Sequence, residues 1–260
     1  MVKFCDNNFM NKILEKLLDK ISEKFETEIF LSESDLQFNF AQVAKDLGAE
    51  DVIMEYPILT EELYKCACPS CIRTIKQSYN CKNPDERFSA DRTYIDLRFM
   101  YNNEEYFIEF KYKLKYPNCF VKRYGRDFPV KTQSANDIGR HQVYEDIERM
   151  EHIRKNYKCH SFVVFITNDN GYWETDTKNL RNSKTSPERS DYNFQLMDGE
   201  KTGCTNNDCG LVYLGGIKRK SETDTTEDKY SRRPIYVSNS YQIQWKPFRK
   251  ISEKCGEFKV

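Results

Sequence analysis

This chain of 260 residues has no net charge: its 41 basic and 41 acidic residues cancel. That excludes a protein coated in positive field, though a local basic strip stays open. No run of about 18 apolar residues occurs, so no membrane-spanning helix is expected. The first residues, MVKFCDNNFM, lack the apolar centre of a signal peptide. A cytoplasmic protein is therefore expected. There is no internal repeat. Histidine is scarce, and His141, His152 and His160 form no metal-binding pattern. Cysteine is not scarce. There are ten, and in a cytoplasmic setting thiols or metal ligands are expected ahead of disulfides.

Against this background, residues 94–113, YIDLRFMYNNEEYFIEFKYK, stand out. Two alternating apolar–polar runs flank Asn102-Asn103, as in a β-hairpin. Asparagine tolerates the left-handed backbone that a two-residue turn needs. If these two form the turn, Tyr101 lies opposite Glu104, Phe99 opposite Tyr106, Leu97 opposite Ile108 and Ile95 opposite Phe110. The other face then sets Asp96 opposite Glu109, with Cβ atoms about 5 Å apart. Like charges so placed destabilise a sheet. A divalent cation offsets them, and Mg²⁺ takes one or two carboxylates plus water and phosphate oxygens. Lys111 shares that face. Metal, lysine and phosphate together make a phosphodiester hydrolysis site. The ordinary alternative is an amphipathic hairpin with a solvated outer face.

Elsewhere, apolar spacing predicts helices over residues 9–25 and 36–47, the second capped within Ser32-Glu33-Ser34-Asp35 and stopped by Gly48. Residues 51–59 read as a strand containing Glu55, a candidate third carboxylate if a metal lies near. Cys66, Cys68, Cys71 and Cys81 are a candidate Zn²⁺ set. Reduced loop cysteines are the alternative, because Cys-x-Cys-x₂-Cys is tighter than paired Cys-x₂-Cys. Cys204 and Cys209 form a looser second pair.

Residues 111–131 are the basic stretch, with Lys113, Lys115, Lys122, Arg123 and Arg126 interleaved with Tyr112, Tyr116, Phe120 and Tyr124. Such residues can neutralise phosphates and stack on bases; a solvated loop is the alternative. A helix from Ser134 or Asp137 to about residue 156 follows, with Tyr144, Asp146 and Arg149 at polar positions. Residues 161–167, SFVVFIT, read as a strand buried on both faces. That makes a β-β-α-β core with a crossover. Residues 168–233 read as loops with one or two short strands, and 240–248 as a late strand.

This order of elements, with Ile95-Asp96 and Glu109-Phe110-Lys111 on the hairpin, resembles the PD-(D/E)xK, or restriction endonuclease-like, nuclease superfamily. Ile95 stands where that motif usually has proline. The blocks SESDLQ (32–37), EYPI (55–58), YIDLRF (94–99), FIEFKYK (107–113), DIERME (146–151), FITND (165–169) and SYQIQW (240–245) resemble a poorly characterised bacterial branch of it. The resemblance covers about residues 32–170.

The resemblance implies an α/β fold with a central mixed β-sheet flanked by helices. One nuclease-like domain would span residues 1–260, with a cysteine-containing insertion at about 61–88 and extra C-terminal strands after 170. It implies a Mg²⁺- or Mn²⁺-dependent endonuclease acting on DNA, with a restriction or defence role. RNA and a homodimer stay open, and no membrane is involved. Asp96 and Glu109 would hold the metal, and Lys111 would orient water and stabilise charge on the phosphate. Glu33 or Glu55 would add a further carboxylate, and Gln142 and Tyr144 would contact substrate. The rival functions are a catalytically silent nucleic-acid-binding module and a zinc-stabilised interaction domain.

Overall fold

The computed structural model describes residues 2–4, 11–24, 30–65, 67, 72, 76, 83–115, 120–123, 125–129, 136–172, 211–213, 235–237, 241–243, 247–252 and 256–259. Its centre is a hairpin of β3 (Arg92–Tyr101) and β4 (Glu104–Lys113). Asn102 and Asn103 form the turn, both left-handed, at φ 52° and 62°. The ladder pairs Leu97 with Ile108, Phe99 with Tyr106 and Tyr101 with Glu104, the register expected from the sequence, but it ends there: the expected Ile95–Phe110 pair is not formed, and the two residues join different apolar cores.

Antiparallel β2 (Glu50–Leu59) flanks β3. On the other side, β7 (His160–Thr167) runs parallel to β4, from Tyr106–His160 to Lys113–Thr167. A parallel neighbour requires a crossover, supplied by helix α5 (Asn136–Tyr157). The result is a mixed four-stranded sheet flanked by helices. Beyond β7 it is extended by β1 (Val2–Phe4), β10 (Tyr241–Ile243), and the β11 (Pro247–Ser252) and β12 (Gly256–Lys259) pair.

Two apolar cores cover the two faces. On one, Ile13, Leu14, Leu17, Leu18 and Ile21 of α1 (Asn11–Lys24) and Leu36, Phe40 and Val43 of α2 (Glu33–Asp46) meet Leu97, Phe99, Ile108 and Phe110. On the other, Val143, Ile147, Met150 and Ile153 of α5 meet Ile95, Phe107, Val163 and Phe165. The hairpin is thus sandwiched, and its second face is not the solvated surface that an amphipathic reading allows.

Several elements depart from expectation. Helices α3 (Thr60–Leu63) and α4 (Pro84–Ala90) border the cysteine segment. They are too short to carry a helical period, so apolar spacing does not reveal them. The basic stretch contains a hairpin, β5 (Phe120–Arg123) and β6 (Arg126–Pro129), turning at Gly125, whose φ is 71°. Strands β8 (Leu211–Tyr213) and β9 (Ile235–Val237) pair separately. Among the described residues, no helix is long and apolar enough to cross a membrane.

Candidate active site

The charged centre forms where β3 leaves β4. Their ladder ends at Leu97–Ile108, while β3 continues beside β2 as far as Arg92. Asp96 sits at the divergence, and its Oδ2 accepts the Phe110 N–H at 2.6 Å. The Asp96 and Glu109 carboxyl groups are neighbours that shift each other's pKa.

β2 follows the same divergence. Glu55 has a left-handed backbone, φ 52°, uncommon for a non-glycine residue. Val52 and Met54 before it pack against the α1/α2 core, and Tyr56 and Ile58 after it belong to the α5 core. Glu55 itself is exposed and is not among the groups that perturb Asp96. The structure therefore leaves Glu55 outside the centre.

Glu33 is brought in instead. Ser32 caps α2, its Oγ accepting the Asp35 N–H at 3.1 Å, and Asp35 Oδ2 accepts the Leu31 N–H at 2.9 Å. This SxxD cap leaves Glu33, the first residue of α2, pointing at β4. Its Oε2 accepts the Tyr112 N–H at 2.8 Å, and its Oε1 lies 3.7 Å from Lys111 Nζ.

Helix α5 closes the base. Arg149 Nε donates to Glu109 Oε1 at 3.0 Å, and its Nη2 pairs with Asp146 Oδ1. Asp146 Oδ2 lies 3.0 Å from Lys111 Nζ. The Glu109 and Asp146 side chains are each 2% exposed, whereas Glu33 is 34% exposed. The centre thus has a buried floor and an open rim. Asp146 and Arg149 are the functional candidates that sequence reading ranked only as polar helix positions. Their spacing of three residues places them on one helix face, but which way that face docks is not local information.

Burial dominates the electrostatics. It pushes the Asp96 carboxyl up to about 6; the Glu109 hydrogen bond, the Phe110 N–H and Lys111 oppose the rise, and Asp146 adds to it. Burial likewise holds Glu109 well above the usual carboxylate range, with Asp146 and Asp96 reinforcing it and Arg149 and Lys111 opposing. For Lys111, burial works against the charge, but Asp146, Glu33, Glu109 and Asp96 outweigh it and raise the pKa. Lys111 is thus a cation at neutral pH.

The other expected site residues divide. Half-buried Lys113 lies near Glu33, Lys111 and Asp146; burial lowers its pKa, Glu33 opposes this and Lys111 adds to it. Lys115 is tied to the end of β7, its Nζ 2.9 Å from Asp169 Oδ1 and 2.8 Å from Asn170 Oδ1. Arg126 is exposed. Lys122 and Arg123 lie in β5, but their side chains fall outside the described residues. Gln142 is half-buried on α5, and Tyr144 is fully buried in the α5 core. Tyr144 there is a packing residue, which does not match a substrate contact.

The expected zinc set, Cys66, Cys68, Cys71 and Cys81, lies outside the described residues, as do Cys204 and Cys209. Cys159 is described and buried, and burial pushes its thiol up to about 12. It behaves as an inert packing group.

Among the described residues, no group of three His, Cys, Asp or Glu side chains is arranged to hold a metal ion. The donors that do converge, Asp96 and Glu109, are both carboxylates. Hard divalent cations such as Mg²⁺ bind through one or two such groups and complete their shell with water and phosphate oxygens. The pair therefore fits Mg²⁺ or Mn²⁺ in donor chemistry. No family model, curated protein or solved structure matches this chain.

Proposed function

We propose that this protein is a metal-dependent nuclease of the PD-(D/E)xK type, built on a restriction endonuclease-like core, that hydrolyses phosphodiester bonds in DNA. The observation that carries the proposal is the buried Asp96–Glu109 carboxyl pair with Lys111 alongside. A fold gains nothing from like charges placed together in a low-dielectric site. The β-β-α-β order and the mixed sheet support the same reading. A restriction or defence role, a cytoplasmic location and a homodimer belong to the proposal. RNA is the alternative substrate.

In this reading Asp96 and Glu109 hold Mg²⁺ or Mn²⁺. The bound ion supplies Lewis-acid polarisation of a phosphoryl oxygen and a more acidic water. Lys111, held as a cation by Asp146 and Glu33, faces the phosphate and stabilises the negative charge that builds on it. Glu33, at the rim, anchors the Tyr112 N–H and so fixes the strand that carries Lys111. Lys113 on the same face adds positive charge where the DNA backbone approaches.

One observation favours a second reading, a silent nucleic-acid-binding module. Arg149 already occupies one oxygen of Glu109, and Lys111 is paired with Asp146, so the carboxylates have internal counter-ions. The test is cleavage of supercoiled DNA with Mg²⁺ or Mn²⁺, against a chelator control and Asp96→Asn. Metal-dependent nicking that Asp96→Asn abolishes, with the variant still folded, supports the nuclease. A folded wild-type protein that binds DNA but leaves it intact in both metals refutes it.

A further inference from the structure

We infer that Arg149 is a positioning residue for the carboxyl pair: it grips one oxygen of Glu109 from α5 and so presents the other toward Asp96 and a divalent cation. The inference rests on the nuclease reading. Its geometry is a chain of four side chains. Glu109 Oε1 meets Arg149 Nε at 3.0 Å, Arg149 Nη2 meets Asp146 Oδ1, and Asp146 Oδ2 meets Lys111 Nζ at 3.0 Å. One guanidinium thus spans two carboxylates through different nitrogens of its planar fork, a fixed geometry that the single nitrogen of a lysine ammonium does not supply.

The chain links the carboxylate proposed to hold metal with the lysine proposed to face the phosphate. Glu109 is 2% exposed, so bulk water cannot orient it. Its position along β4 is set by the ladders with β3 and β7, but a ladder does not fix the rotation of a terminal carboxylate, which is a broad torsion. Arg149 supplies that restraint. The opposite expectation is that Arg149 simply competes with the cation for Glu109. The geometry argues against it: the arginine engages Oε1 alone. Groups that hydrogen-bond a ligating carboxylate typically change metal affinity 10–100-fold when removed.

The test is Mn²⁺ binding to the full chain without DNA, followed by electron paramagnetic resonance, with thermal melts on the same samples. Arg149→Met is expected to weaken Mn²⁺ binding by roughly 10–100-fold. Arg149→Lys, which keeps the charge but loses the fork, should fall between it and the wild type. If Arg149→Met does not fold, Arg149→Lys decides: weakened binding supports the inference, and wild-type affinity overturns it. A folded Arg149→Met that binds Mn²⁺ as tightly as the wild type, or more tightly, makes Arg149 only a counter-ion. If the wild type binds no Mn²⁺ that Asp96→Asn loses, the nuclease reading falls and takes this inference with it.

Discussion

The β3–β4 hairpin carries two charged pairs on one face, and they obey opposite rules. Toward the turn, Arg98 and Glu105 are diagonal neighbours of opposite sign, 2.8 Å apart, with Arg98 also 5.7 Å from the Tyr56 ring. At the far end, Asp96 and Glu109 are two acids close enough to perturb each other. The first pair reduces the electrostatic energy of a partly covered surface. The second raises it, and the fold brings in Lys111 and Arg149 without neutralising it fully. Burial, strand geometry and helix cover are available to both pairs, so the difference points to chemistry at one end and plain stabilisation at the other.

Predictions sharpen that contrast. The largest effect is expected at Lys111. Lys111→Met should lower the cleavage rate at saturating DNA by about 10²–10³-fold, the usual result of removing one preorganised electrostatic group. Single-turnover cleavage measures it, and a loss confined to KM would show that Lys111 acts only in binding.

A smaller effect concerns pH. Asp96 binds its proton more tightly in the folded chain, up to about 6 against an ordinary 3.8. Its contribution is therefore neutral below the ordinary value, and opposes folding fully once pH passes about 6. Asp96→Asn removes that opposition while keeping an acceptor for the Phe110 N–H. The variant's advantage in unfolding free energy should grow by a few kcal/mol across that window and then level off. Urea melts at a series of pH values check this; a gap that shrinks as pH rises contradicts the buried-carboxyl account.

The smallest effect belongs to the other pair. A double-mutant cycle with Arg98→Met and Glu105→Gln should give a coupling of about 0.2–1 kcal/mol, with DNA cleavage unchanged. Should Arg98→Met abolish cleavage, the division between the two ends of the hairpin would collapse.

How much of this was readable beforehand depends on the range of the interaction. Asn102-Asn103 and the alternation around them were enough to set the register as far as Leu97–Ile108 and so to bring Asp96 near Glu109, because a two-residue turn sets register and strands repeat every second residue; the break in alternation at Asp96 was not readable. The capping residues around Ser32 likewise announced α2. The choice between Glu33 and Glu55 was not readable. One is at a helix cap and the other inside a strand; Glu33 proved to face β4, and Glu55 sits on a left-handed residue and is exposed. Tyr144 and Arg149 lie on one helix, and only the docked helix tells which of them enters the core and which reaches Glu109.

By itself, then, the sequence determined the local facts: the hairpin and its register from the turn to Leu97–Ile108, the apolar β7 and the helices with a clear period. These rest on contacts between residues close in the chain or on periodicity alone. The tertiary structure decided what depends on distant segments meeting: the cover over both faces of the hairpin, the departure of β3 from β4 at Asp96, and the arrival of Glu33, Asp146 and Arg149. The physical reason is that a side chain's charge is legible in the sequence but its burial is not, and burial turns two ordinary acids into a perturbed pair.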